Sequence, residues 1–247
     1  MAYHSKDVYP RPDFVHAKQN WRPVNDGWTI LYDDEDVGLA EGWHVAGVPD
    51  RVALSPAAVT AAAAAAEQEA QRLAAFPELK ERGFGAQKAQ AQRTENLKRA
   101  INVPFVFQTP ASGVHDNEAH EVLWYERRGF ADPRRGGAAA EQTKARGDRV
   151  LLRFGAVDYE ATLWASGRLV GSHRGGHVPF DLDLTDALDA APDGLVNLVL
   201  RVRDSPYDLS QPRGKQYWGP QPEVSAGHWH YETPRSRSFS ATGSSKT

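Results

Sequence analysis

The stretch "LVNLVLRVRD" at residues 195–204 constrains the chain more than any other. Val196, Leu198, Leu200 and Val202 fall on one face of an extended segment, and Asn197, Arg201 and Arg203 fall on the other. That alternation is the pattern of a half-buried strand with one wet side. The same period of two recurs nearby. "RVLLRF" turns Val150, Leu152 and Phe154 inward, while "FDLDL" buries Phe180, Leu182 and Leu184 and points Asp181 and Asp183 outward. "YEATLWASGRLVGSH" reads as a hairpin pivoting at Ser166–Gly167, where a tight primed turn needs positive φ. Upstream, "GWTILYDD" is an apolar burst between the turn formers Asn25–Asp26–Gly27 and Asp33–Asp34. Short strands divided by turns, with no repeating strand–helix unit, predict an all-β antiparallel sandwich.

One zone departs from this pattern. Residues 55 to 98 are rich in Ala, Glu, Gln, Lys and Arg and nearly free of β-branched side chains, which predicts a solvated helical insertion. Ser55 is placed to cap it and Pro56 to open it, with Pro77 and Gly83 to Gly85 breaking it into pieces. At the other end, residues 224–247 are poor in aliphatics and crowded with Ser, Thr and Arg, the composition of a disordered tail.

Bulk properties remove several function classes. A chain of 247 residues has room for one large domain or two small ones. The net charge of -3 gives no general pull toward nucleic acid or an anionic membrane. There is no cysteine, which excludes disulfides and thiolate metal clusters. No apolar run approaches the roughly 20 residues that span a bilayer. The N-terminus shows no basic region followed by an apolar core, so the expected location is cytoplasmic.

The segment at 154–180, "FGAVDYEATLWASGRLVGSHRGGHVPF", raises three chemistries. A phosphate loop needs glycines followed by a helix N-terminus, but here a strand-like "HVPFDLDL" follows. His173 and His177 have a zinc-compatible spacing only on a helix, which Gly175–Gly176 opposes; they read as ordinary loop histidines. The glycines therefore read as turns and close strand packing. Asp204 and Asp208, in "RVRDSPYDLSQPRGKQYWGP", have two open readings. With Arg213, Lys215, Tyr217 and Trp218 they form a loop able to hydrogen-bond a polyol and stack on a sugar ring. Alternatively, Asp204 closes a turn before Pro206 and the rest is solvated.

A series of blocks in order carries a family likeness: "YPRPDF", "DGWTILYDDEDVG", "VPFVFQTPASGV", "LWYERRGF", the run from Arg149 to Leu188, and "NLVLRVRDSPYDLSQPRGKQYW". Together they resemble the N-terminal sugar-binding domain of glycoside hydrolase family 2, over residues 9 to about 48 and 101 to 223. The resemblance implies a galactose-binding-like jelly-roll sandwich over residues 1–223, ahead of an immunoglobulin-like domain and a catalytic (β/α)₈ barrel. The acid/base and nucleophile glutamates of family members lie in that barrel. A barrel alone takes about 250 residues, so the chain is expected to be non-catalytic, binding or supporting a β-linked carbohydrate. Two other outcomes stand beside this: a piece of a β-glycosidase active once joined to the missing domains, and a remnant that binds nothing.

The resemblance also implies that Asp204 holds substrate and a sodium ion once a barrel completes the pocket. Asp208, Arg213, Lys215 and Trp218 are the further candidate sugar contacts. Three departures from the family pattern stand out: Ala165–Ser166–Gly167 in place of an Asn–Gly turn, the inserted segment at 55–98, and "VSAGHWHYETPRSRS" where an aromatic-rich closing strand is expected. The third suggests a gene or reading frame broken near Val224.

Overall fold

The computed structural model describes residues 22–75, 77, 94–116, 119–135, 147–205, 208 and 210–212. Ten strands and three short or isolated helices make up the regular structure of these residues, with one 3₁₀ turn at Pro110–Ser112. A six-stranded antiparallel sheet forms the main layer. Its members are β1 (Trp28–Tyr32), β4 (Arg99–Ile101), β5 (Val122–Ala131), β7 (Glu160–Ala165), β8 (Arg168–Arg174) and β10 (Leu195–Arg203), ordered β4-β1-β5-β10-β7-β8. A second layer is the antiparallel pair β6 (Leu151–Phe154) and β9 (Phe180–Asp183). Between the layers lies one core, in which Ile30, Leu163, Leu184, Leu188, Val196 and Leu198 are all buried. The protein is an all-β sandwich carrying a helical insertion.

The alternation foreseen for β10, β6 and β9 is present. Val196, Leu198, Leu200 and Val202 are buried in the inter-layer core, and so are Val150, Leu152 and Leu184, while Leu151 is exposed. The β7–β8 hairpin turns at Ser166 and Gly167, whose φ angles are 47° and 82°. Both central residues are thus left-handed, as a primed turn requires, and glycine holds the second position at no steric cost.

Three expectations need correction. The far side of β10 is not simply wet: Val199 is buried there against Leu31, Trp43, Val48, Val122, Trp124 and Trp164 in a second apolar cluster. The cover on this face is the segment 37–54, including α1 (Trp43–Ala46). Strict alternation misses it because a sheet covered on both faces hides residues of both parities. Second, the helical zone ends before residue 98. Helix α2 spans Pro56–Ala75, but β3 (Glu95–Leu97) pairs with β2 (Arg51–Ala53), and the Leu54 amide donates to the Thr94 carbonyl at 2.8 Å. The insertion is therefore carried at the tip of a small hairpin, where added length costs little entropy. Its start is as expected, with Ser55 Oγ accepting the Ala58 amide at 3.2 Å. Third, His173 lies in β8 rather than a loop, and its ring stacks on Phe180 with centroids 4.0 Å apart.

The glycines at 171 and 176 serve packing. A Cβ at Gly171 would lie 2.9 Å from Leu182 of β9, and one at Gly176 only 2.1 Å from the Asp158 carboxylate. Helix α3 (Thr185–Asp189) follows β9 and buries Leu188 in the core. Among the described residues no helix is long and apolar enough to cross a membrane.

Candidate functional site: a polar cleft at the strand ends

The antiparallel register brings the C-terminal end of β10 beside the start of β7 and the end of β8. Arg203 pairs with Glu160 across β10–β7, and Glu160 with Arg174 across β7–β8. These strand ends frame an open cleft of about 310 Å³ lined by Glu160, Arg203, Ser205, Asp208 and Gln211.

Each lining group is fixed by a local partner. The Arg203 guanidinium donates to Glu121 Oε1 from Nη2 at 2.9 Å and from Nε at 3.2 Å, and the Glu121 carboxylate holds it above its usual pKa. Arg174 Nε lies 3.2 Å from Glu160 Oε1, with its guanidinium 5.3 Å over the Tyr159 ring. The Asp204 amide donates to the Glu121 carbonyl at 2.9 Å, carrying the β5–β10 ladder one residue further. Gln211, 7% exposed, then folds back: its Nε2 donates to Asp204 Oδ1 at 2.7 Å and to the Ser205 carbonyl at 2.8 Å. Asp208 Oδ1 accepts the Ser210 amide at 2.8 Å. That hydrogen bond, helped by Arg174 and Arg203, holds the Asp208 carboxyl below the usual carboxylate range.

Of the residues foreseen from the sequence, Asp208 lines the cleft, and Asp204 stands directly behind it with Oδ1 turned to Gln211. Arg213, Lys215 and Trp218 lie outside the described residues, as do Tyr217 and the tail at 224–247. Sequence reasoning missed Glu160, Arg203, Ser205 and Gln211 as lining residues. Extending the hairpin register outward from Ser166–Gly167 sets Glu160 opposite His173; the bulge between Leu163 and Trp164 that moves it to Arg174, like the loop fold that brings Gln211 back, leaves no local signal.

A second polar group at the same end of β1 and β5 is buried. His120 Nδ1 lies 2.6 Å from Asp34 Oδ1 and its Nε2 3.9 Å from Asp116 Oδ2. The imidazole stacks on Tyr32 at 3.6 Å, while Arg99 sits 4.7 Å from the Tyr32 ring and 3.2 Å from Asp116. Burial pulls the imidazole pKa down, but the two carboxylates outweigh it and hold His120 above its ordinary value. Asn96 Nδ2 donates to the Tyr32 carbonyl and to Asp34 Oδ2, both at 2.9 Å. This cluster ties the β1 end to β4 through Arg99.

No protein-family profile matches the chain. The chain is similar to β-glucuronidases: it is 32% identical over 92 residues to that of Canis lupus familiaris, covering 37% of this chain and 13% of the relative. With the β-glucuronidase of Paenibacillus borealis it shares 32% over 78 residues, 32% of this chain and 11% of the relative. Among solved structures, the Ruminococcus gnavus β-glucuronidase in complex with C6-substituted uronic isofagomine covers 74% of this chain and 21% of its own, at 17% identity and a TM-score of 0.43. The resemblance to family 2 glycoside hydrolases drawn from the sequence blocks stands, over a part of those enzymes: the chain spans 13% of the length of the first of these relatives.

Proposed function

We propose that the chain is a non-catalytic, carbohydrate-binding or supporting sandwich of a family 2 glycoside hydrolase, with jelly-roll connectivity, and that its sugar contact is the strand-end cleft. The observation that carries this reading is the fixed set of donors and acceptors at that cleft, Arg203, Ser205, Asp208 and Gln211 beside Glu160. Hydroxyl-rich ligands are recognised by such groups when they are held in place, because less side-chain entropy is lost on binding. Asp204 supports the site through Gln211.

Glycoside cleavage requires two carboxyl groups about 5 Å apart for retention or 6.5–9.5 Å for inversion, astride the scissile bond. The two carboxylates that line the cleft are instead engaged, Asp208 with the Ser210 amide and Glu160 with Arg174. The retaining glutamate pair is assigned to a barrel outside this chain, together with the immunoglobulin-like domain. A sodium ion at Asp204 would need further oxygen ligands: among the described residues no three His, Asp or Glu side chains converge on a metal position.

Calorimetric titration of the chain with galactose, glucuronate and mannose tests the reading. A measurable response that Asp204→Ala weakens severalfold, in a variant that still unfolds in one cooperative urea transition, supports it. Flat traces for all three, or an equal response from the variant, overturn it. The similarity to named β-glucuronidases favours a second reading, a part of an active β-glucuronidase. Release of nitrophenol from an aryl β-glucuronide by the chain alone would replace the non-catalytic reading with that one.

A further inference from the structure

We infer that Glu121, which does not itself line the strand-end cleft, is the positioning residue that orients Arg203 there, an inference that rests on the carbohydrate reading above.

Arg203 ends β10 and lines the cleft, with its side chain 47% exposed. A long side chain so placed ordinarily samples many rotamers, and fixing it on binding costs affinity. Here the neighbouring strand fixes it beforehand. Glu121 sits one residue ahead of β5, and Arg203 lies opposite Val122 in the β10–β5 register. The Glu121 carbonyl accepts the Asp204 amide at 2.9 Å, so its backbone is tied to the strand end that carries Arg203. Its Oε1 then accepts both hydrogen bonds from one edge of the guanidinium, Nη2 at 2.9 Å and Nε at 3.2 Å.

The edge that Glu121 takes decides which donors are left. A guanidinium carries five N–H groups in one plane. With Nε–H and one Nη2 hydrogen given to Glu121, Nη1 and the second Nη2 hydrogen remain as parallel donors. Glu160, opposite Arg203 across β10–β7, pairs with Arg174 instead, at 3.2 Å. Two parallel N–H groups suit a pair of adjacent oxygens, such as neighbouring hydroxyls of a pyranose. An ion pair this exposed contributes little to stability. Its effect is the direction it gives Arg203.

The test reads the side chain and the binding separately. In the nitrogen-labelled full chain, the Arg203 Nε–H proton should exchange with water more slowly than in Glu121→Ala. Equal exchange overturns the inference and leaves the carbohydrate reading in place. Galactose, glucuronate and mannose are then titrated by calorimetry into the native chain, Glu121→Ala, Arg203→Ala and the double variant. A sugar that the native chain binds should bind Glu121→Ala about tenfold more weakly, with the urea midpoint little changed. In the Arg203→Ala background the same substitution should cost nothing further, the signature of a residue acting through another. Glu121→Gln keeps an acceptor oxygen and should restore part of the affinity; it also stands in should Glu121→Ala misfold. Undiminished affinity in Glu121→Ala, or a loss that simply adds to that of Arg203→Ala, overturns the inference. No response of the native chain to any of the three sugars overturns the carbohydrate reading, and the inference falls with it.

Discussion

His120 Nδ1 and Asp34 Oδ1 lie 2.6 Å apart across 86 residues of sequence, with the imidazole stacked on Tyr32. Asp34 and Asp116 face the imidazole, while Arg99 and the Tyr32 ring close the group. The carboxylates raise the folded-state pKa of His120 above its unfolded value. The stabilisation is therefore complete below about pH 6.5 and is lost as pH rises through the folded-state value. Urea midpoints should fall between pH 6 and pH 9 in the native protein, and the decline should flatten in Asp34→Asn. A midpoint that rises over that range would contradict the pairing.

Gly38 approaches two tryptophans. A Cβ built there would sit 2.5 Å from the Trp43 ring and 2.7 Å from Trp124, whose indole nitrogen donates to Asp33 at 2.8 Å. Neither ring can retreat, because both belong to the buried outer cluster. Gly38→Ala should destabilise by about 1–3 kcal/mol through overpacking. Gly42 gives a contrast: it has φ of 71° and open space around a would-be Cβ, so Gly42→Ala should cost about 1 kcal/mol from backbone strain alone. Denaturant midpoints of the two variants distinguish the mechanisms, since trimming Trp43 to Leu should relieve only the first.

Lys98 and Glu126 form a buried ion pair on the same face. Their side chains are 10% and 3% exposed and lie 3.3 Å apart, and Lys98 Nζ also donates to the Val48 carbonyl at 2.7 Å. Removing the cation alone leaves Glu126 with Arg128 at 3.1 Å and the Val48 amide at 3.3 Å. Lys98→Met should therefore cost somewhat less than the 3–5 kcal/mol typical of a fully orphaned charge, about 2–3 kcal/mol. Adding Glu126→Leu should restore part of the loss, because an apolar pair no longer carries the desolvation penalty. Thermal unfolding of the single and double variants reads this out as a coupling energy.

What the sequence made legible follows a physical line. Period two, turn residues and caps are local, so β10, the Ser166–Gly167 hairpin and the Ser55–Pro56 helix start could be read from a few neighbours. The second apolar cluster could not, since Val199 and Trp164 are buried by a segment more than 100 residues away, around Trp43. Lys98 looked helical because lysine favours helices, yet tertiary pairing of its amide with the Asp50 carbonyl set its conformation. The candidate site was half legible. Asp208 was flagged by its loop, but Glu160 and Gln211 reach the cleft through cross-strand register and a long-range fold-back. Asp204 was foreseen as a ligand conditional on a completing barrel, and its Oδ1 accepts the Gln211 amide.

That brace gives the last prediction. Gln211 ties Asp204 Oδ1 to the Ser205 carbonyl through a single amide nitrogen, so the shape of the 204–211 loop depends on one side chain. Gln211→Ala removes both bonds where they are partly shielded, and should cost about 1–2 kcal/mol of stability with a larger proportional loss of any sugar response. Gln211→Glu is the sharper probe, because its volume is unchanged while a donor becomes a second carboxylate facing Asp204. Two like charges at that separation cannot both stay ionised comfortably, so one proton should be taken up near the upper end of the carboxylate range. Below that range the variant should keep the loop shape and a sugar response close to native. As pH rises through it the two carboxylates repel, and the response should fall while the core, remote from the loop, stays folded. Amide shifts of Ser205 and Ser210 followed against pH measure this directly, and a Gln211→Glu titration that leaves both unmoved would show that Gln211 does not shape the cleft.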